Sequence, residues 1–312
     1  MQGMLSTRPF ECPFTLLEQA RRYPAVKTSI ANAGAAIALE SARQATEEGL
    51  IEPILVGDKN DIARNADEIA WDIGSFEIHH APDEDTAALQ AAKLAGNGHA
   101  HALMKGHIHT DTFMMAILNR ASGLRRGRRL THVFHMTIPG HKKALLITDA
   151  AVNIAPDLET KFEAIRNAVG LAQSLGIAEP RVAILSGTEE ATDRMPSSMD
   201  AAALTVRATE QLGGALVHGP LAFDNAISPE AAQIKGITHP VAGNADILLV
   251  PNIETGNALF KMMVYFMSAC AAGIVLGAKV PAILTSRADP PEARLASAAI
   301  AAILAGAEKE TN

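Results

Sequence analysis

The 312-residue chain has two cysteines, one tryptophan (Trp71) and two tyrosines, and aromatic residues make up 4% of it. Two thiols, Cys12 and Cys270, close at most one bridge, which excludes a disulfide-dependent secreted scaffold. So few aromatics also exclude a stacking platform for single-stranded nucleic acid. Positive charge is short as well: 27 Lys and Arg stand against 34 Asp and Glu, a formal net charge of −7. That balance argues against a polyanion as the main partner and leaves room for a small phosphorylated ligand in a local basic pocket. The first residues, Met1 to Phe10, lack a basic stretch followed by an apolar run, so no signal peptide is expected. The longest uncharged run, between Lys261 and Lys279, is broken by Gly273 and Gly277 and reads as a buried helix and strand, not a membrane span. A cytoplasmic protein is the expectation. Three motifs are missing too: the Gly-x-Gly-x-x-Gly fingerprint, the P-loop and the Gly-x-Ser-x-Gly elbow. Their absence disfavours a standard dinucleotide fold, an NTPase and an α/β-hydrolase.

What is present is abundant alanine and 48% hydrophobic residues, enough for a large core. Short β-like runs are expected at 26–31, 51–56, 76–79, 100–104, 132–137, 145–148, 182–185, 247–250, 273–276 and 282–285. Between them lie helical patterns at 35–48, 86–95, 158–175, 199–212, 258–270 and 292–304. Such alternation predicts an α/β fold with parallel sheets and helices on both faces. Ligands then sit beyond the carboxyl ends of strands, so the turns after strands are the places to look for chemistry. The glycine- and arginine-rich stretch 121–129 is the expected first domain crossing, and 271–273 the second. The division is then 1–128 with 272–312 as domain I and 129–271 as domain II.

Four of those turns carry reactive side chains. In Leu284–Glu292 a strand runs into a helix expected near Pro290, with Asp289 as its cap and Glu292 at the capping-box position. Ser286 and Arg287 precede the helix start, where free N–H groups favour an anion. In Leu103–Thr112, Lys105 and the amides of Gly106 and His107 follow a strand, and a helix is expected from Thr110. This is a second candidate anion site. The turn Val250–Ala258, with Lys261 beyond it, offers Asn252, Gly256 and Asn257. The segment Gly219–Asn225 offers Asp224 and Asn225, or only an Asx-type turn. His99, His101, His107 and His109 have a spacing that can ligate zinc, which makes a metal-dependent hydrolase a rival reading, although no cysteine cluster supports it. Arg125, Arg126, Arg128 and Arg129 read as a solvated loop, with phosphate contact as the alternative.

Taken together, Leu103–Gly106, Asp200–Leu204, Gly219–Ala226, Ile247–Lys261 and Gly277–Arg287 resemble the phosphate acetyltransferase/phosphate butyryltransferase family. The segment 284–289 is closest to the butyryl-type branch and to the acyltransferase half of enoyl-CoA hydratase fusions, whose hydratase half is not found here. The resemblance runs from Leu16 to Leu304. It implies two α/β domains of the isocitrate/isopropylmalate-dehydrogenase-like architecture with a cleft between them, and a homodimer or higher homo-oligomer. It also implies reversible transfer of a short acyl group, acetyl or butyryl, between coenzyme A and inorganic phosphate. Coenzyme A is then a substrate, with no metal or other cofactor and no nucleic-acid or membrane partner. On that pattern Ser286, Arg287 and Glu292 are the catalytic candidates, and Lys105, Gly106, His107 and Thr110 bind phosphate. Asp224, Asn225, Asn252, Gly256, Asn257 and Lys261 are the cleft and coenzyme candidates. This chain departs from acetyl-type sequences at two places. Ala293, beside Glu292, stands where they have an acid. Met115 replaces a phosphate-binding arginine, leaving Lys105 or Arg120 to supply the charge. Rival readings are a carrier-protein-dependent phosphate acyltransferase and a non-catalytic binder of coenzyme A or acyl phosphate. Direct transfer is expected, because Cys12 and Cys270 are poor nucleophiles.

Overall fold

A computed structural model describes residues 4–286 and 288–310. The chain begins with α1 (Phe14–Ala20), β1 (Val26–Ala31), α2 (Ala36–Glu47), β2 (Ile51–Gly57), α3 (Lys59–Glu68), β3 (Glu77–His80), α4 (Glu84–Gly96), β4 (Ala102–Lys105) and α5 (Thr110–Leu118). It continues with β5 (Thr131–Thr137), β6 (Leu145–Thr148), α6 (Leu158–Ser174), β7 (Arg181–Leu185), α7 (Pro196–Gln211), β8 (Leu216–Leu221), α8 (Phe223–Ile227), α9 (Pro229–Ile234), β9 (Ile247–Leu249) and α10 (Ile253–Met267). It closes with β10 (Cys270–Leu276), β11 (Ala282–Ile283) and α11 (Pro291–Glu310).

Two compact units form, one from residues 10–128 with 272–312 and the other from 129–271 with the residues up to Pro9. The sequence reading put those first residues in domain I. In the structure the Ser6 amide donates to the Tyr265 carbonyl at 2.9 Å, and Ser268 Oγ donates to the Arg8 carbonyl.

In the 10–128/272–312 unit the strand order is β3-β2-β1-β4-β11-β10. The pairs β2–β3, β1–β2, β1–β4 and β4–β11 are parallel. Only β10–β11 is antiparallel, a departure from the all-parallel expectation. Alanine explains how its helices lie so close to the strands. In α4, Ala87, Ala88, Ala91, Ala92 and Ala95 are all buried, a helical stripe of the smallest side chains. Ser29 Oγ on β1 donates to the Ala91 carbonyl at 2.9 Å across that contact. The 129–271 unit has the order β5-β6-β9-β7-β8, antiparallel only at β5–β6. Its core gathers Phe134, Ile147, Leu185, Leu248 and Val250 from the strands, with Phe260 stacked on Phe134 at 4.1 Å between ring centroids.

Two elements correct the sequence reading. The stretch read as a turn at Gly219 is the end of β8, buried from Gly219 to Leu221. A Cβ on Gly219 would come within 2.7 Å of Ile184 Cβ, so the glycine serves strand packing. Cys270 does not lie in a helix: α10 ends at Met267, Ser268 adopts φ 50°, and Cys270 opens β10 as a buried residue.

Candidate active site

The site-bearing turns are brought together by strand register. Pairing of Ala31 with Lys105 and of Met104 with Ile283 sets the carboxyl ends of β1, β4 and β11 side by side. Residues near 105 and near 286 thereby meet at one end of the sheet, which is where open α/β sheets bind ligands. A pocket open to solvent lies there. Its polar wall is made by Ser41, Lys105, His107, Thr285, Ser286 and Arg294, and its apolar wall by Ile37, Ala38, Met104 and Ile283. Lys105 is the last residue of β4 and only 8% exposed.

Gly106 also lines the pocket, but it works through its lack of a side chain. Its amide donates to the Ala31 carbonyl at 2.9 Å, and the His107 amide donates to the Asn32 carbonyl at 3.1 Å. The two amides expected to hold phosphate are thus engaged by β1 and the turn after it. A Cβ at Gly106 would fall 2.4 Å from the Ala31 carbonyl oxygen, so close approach of two backbones requires glycine here. Asn32, with φ 57°, locks the same junction by donating from Nδ2 to the His107 carbonyl at 2.7 Å. Thr110, by contrast, is an exposed first residue of α5 outside the pocket wall.

The turn after β11 differs in detail from the expected cap. Helical bonding begins at Pro290, whose carbonyl accepts from the Ala293 and Arg294 amides. The Asp289 carboxylate instead accepts from the Ser286 amide at 2.6 Å, and Ser286 Oγ accepts from the Ala288 amide. These bonds hold Ser286 at the pocket edge. Arg287 lies outside the described residues. Glu292, in the first turn of α11, is not among the residues that line the pocket.

Arg294, which the sequence reading passed over, is in the wall. Its Nη1 donates to the Asp289 carbonyl, while its Nε is buried with no hydrogen-bond partner among the described residues. Burial lowers its pKa, opposed by the nearby carboxylates of Asp289, Glu292 and Glu40. The available signal was a single cation in the alanine-rich stretch from Ala293 to Ala307, where a charge without a role would be costly. Met115, at the position of the missing arginine, is 67% exposed, and Arg120 is exposed as well. Neither lines the pocket.

The remaining candidates fall in the 129–271 unit. Asn225 is fully buried in α8, with Nδ2 donating to Glu189, which also pairs with Lys235 at 3.4 Å. Asn252 caps α10 by accepting from the Thr255 amide at 3.0 Å. Gly256 packs so tightly on Ala150 that a Cβ would come within 2.6 Å of the alanine's own Cβ. These three have structural work at their positions. Asp224 and Lys261 are exposed and Asn257 is half-buried.

Among the described residues no group of three or more His, Cys, Asp or Glu side chains is placed to hold a metal ion. The histidines of the zinc reading serve as carboxylate partners instead: His99 meets Glu77 at 2.8 Å and His109 meets Glu84 at 3.0 Å. No helix among the described residues is long and apolar enough to cross a membrane. The Cys12 thiol is pushed up to about 12, first by burial and then by Glu48 and Glu292, so it is not a thiolate near neutrality.

The family described as phosphate acetyl/butaryl transferase matches residues 83–302. A phosphate acetyltransferase of Rhizobium meliloti is 48% identical over 291 residues, covering 93% of this chain and 92% of that protein. A phosphate butyryltransferase of Clostridium beijerinckii is 42% identical, covering 94% and 98%. Among solved structures, a branched-chain phosphotransacylase from Enterococcus faecalis V583 superposes with a TM-score of 0.79 at 34% identity, covering 90% of this chain and 99% of that one.

Proposed function

The chain belongs to the phosphate acetyl/butaryl transferase family, and on that premise we propose that the pocket at the ends of β4 and β11 is where it transfers a short acyl group between coenzyme A and inorganic phosphate. The enzyme is an acyltransferase, catalysing acyl-CoA plus phosphate to acyl phosphate plus CoA. The observation that carries the placement is the meeting of Lys105 and Ser286, 181 positions apart in the sequence, in the wall of one pocket.

In the acyl-phosphate direction a phosphate oxygen attacks the thioester carbonyl, an oxyanion forms, and the C–S bond breaks to release the coenzyme thiolate, which takes a proton. Lys105 supplies positive charge to the incoming phosphate and the oxyanion. Ser286, held by Asp289, directs its hydroxyl at the sulfur; Arg287, the next residue in the sequence, is assigned a further positive charge. Orientation of both substrates in a ternary complex contributes much of the rate, since well-aligned reactants gain roughly 7–11 kcal/mol. No enzyme thiol is needed.

The apolar wall suits the acyl chain. Ile37, on the first turn of α2, is 38% exposed and lines the pocket. Replacing Ile37 by Phe should lower the ratio of butyryl-CoA to acetyl-CoA turnover. The working form is taken as a homodimer in the cytoplasm.

The deciding experiment is phosphate-dependent release of thiol from acetyl-, propionyl- and butyryl-CoA, with EDTA in every assay. Robust release is expected, and its ranking names the acyl group. Release only from acylated carrier protein, or binding of CoA without release, would overturn the reading.

A further inference from the structure

We infer that Arg294 holds the phosphoryl group in this pocket through its Nε–H; this rests on the acyltransfer reading above and adds a binding residue to it. The guanidinium is divided between two tasks. Nη1 is pinned by the Asp289 carbonyl, which fixes the plane of the group against the turn that carries Ser286. Nε, on the other side of Cζ, is shut off from bulk solvent and has no acceptor among the described residues. A buried N–H of a charged group is rarely left so, because it has lost water and gained nothing. Arg294 lies in the wall of a pocket whose other polar side chains are Ser41, Lys105, His107, Thr285 and Ser286, none of them a carboxylate; the carboxylates near the guanidinium, Asp289, Glu292 and Glu40, are not in that wall.

An acceptor entering there must satisfy an N–H and neutralise cations, which describes an anionic oxygen. Arginine suits a phosphoryl oxygen better than lysine does, because its planar fork keeps its direction once one arm is fixed. The same pocket has an apolar side formed by Ile37, Ala38, Met104 and Ile283. One pocket thus offers anion contacts and a short greasy wall, the two halves of an acyl phosphate. Substrate phosphate, not a phosphate of coenzyme A, is the group that fits both.

The test uses Arg294→Lys, which keeps the charge but loses the Nε–H, and Arg294→Gln, which loses both. Steady-state kinetics should show the KM for phosphate rising about tenfold to a hundredfold, the range of one charge-assisted hydrogen bond. The KM for CoA should stay within about twofold of the unsubstituted enzyme. A second arm needs no turnover: inorganic phosphate should raise the thermal unfolding midpoint of the natural protein, and should do so much less for both variants. A KM for phosphate within about twofold, or full phosphate protection in both variants, overturns the assignment. So does an equal fall in kcat with both KM values unchanged, since that is the mark of a residue that only shapes the Ser286 turn. A natural protein that shows phosphate protection but no thiol release would overturn the acyltransfer reading and leave Arg294 as an anion ligand.

Discussion

Each unit buries a lysine, and the two are handled differently. Lys161, on α6 of the 129–271 unit, has Nζ on the Asp200 carboxylate at 2.6 Å and its side chain 7% exposed. Lys105, in the other unit, ends a strand in the wall of a solvent-open pocket. Helix starts are capped only in part in both units: α7 and α8 of the 129–271 unit begin after Met195 and Ala222 with no side-chain cap. In the 129–271 unit, α6, α9 and α10 begin on Asp157, Ser228 and Asn252, whose side chains accept from the first amides. In the pocket-bearing unit α3 and α4 are capped likewise by Asp58 and Asp83. The helices that follow β1 and β4 are not: α2 begins after Ala35 and α5 after His109, with no side-chain cap. At the strand ends around the pocket the starts of α2 and α5 have no cap from the preceding residue's side chain, and at α5 the Glu84 carboxylate accepts from the His109 amide.

The lysines test this most sharply. Lys105→Ala should lower kcat/KM by about 10²–10³, typical of losing one donor to developing charge, with little change in the unfolding midpoint. Lys161→Ala should do the reverse, destabilising by roughly 1–3 kcal/mol as Asp200 loses its partner, with turnover per folded molecule kept. Denaturant titration beside thiol-release assays reads both. If Lys161→Ala abolished turnover in folded protein, the division between the units would fail.

Histidines extend the comparison to pH. In the pocket-bearing unit His79, His80, His99 and His109 sit at the surface against carboxylates. In the other unit His135 on β5 is buried, and desolvation lowers its pKa to about 4 from the usual 6.5. Burial also lowers the stacked pair His218 and His239, whose ring centroids are 4.1 Å apart. The folded state refuses protons that the unfolded chain accepts, so stability is unaffected above pH 6.5. It is lost as pH falls from there toward 4, by about 3 kcal/mol for His135 alone. Replacing His135 by Gln should flatten that part of the stability–pH curve. A curve of the same slope in the variant would assign the loss to other groups, such as Glu77, whose pKa is held low by His99 and His79.

The caps give the smallest effects. Asp157→Ala should destabilise by about 1 kcal/mol without touching kinetics. Ala35→Asp should do the opposite on both counts, stabilising α2 by roughly 0.5–1 kcal/mol while raising the KM for phosphate. If the added carboxylate left that KM unchanged, the start of α2 would be no part of the anion site.

Much of this was legible in the residues, and the misses have physical causes. The runs Val26–Ala31 and Leu145–Thr148 are strands from end to end as expected, because apolar, β-branched stretches buried on both faces leave little ambiguity. Helix α3 went unseen because only Ile62 and Ala66 of its ten residues are buried, too few to make a periodic signal. The strand β8 was hidden by Gly219-Pro220, which locally spells a turn. Asp289 was read as a helix cap because its spacing to Glu292 suits one, yet its carboxylate turns back to Ser286.

Local pattern and family resemblance therefore determined the elements, their strand–helix alternation, the acyltransfer chemistry, and the two segments that carry Lys105 and Ser286. Those depend on neighbours within a few residues, or on motifs read in order. Tertiary structure alone decided that β4 and β11 lie side by side, so that these segments share a pocket. It also decided that the Gly106 amide is engaged by Ala31 and that one nitrogen of Arg294 has no acceptor among the described residues. Hydrogen-bond satisfaction and desolvation are set by atoms from strands far apart in the chain, and no local spacing encodes them.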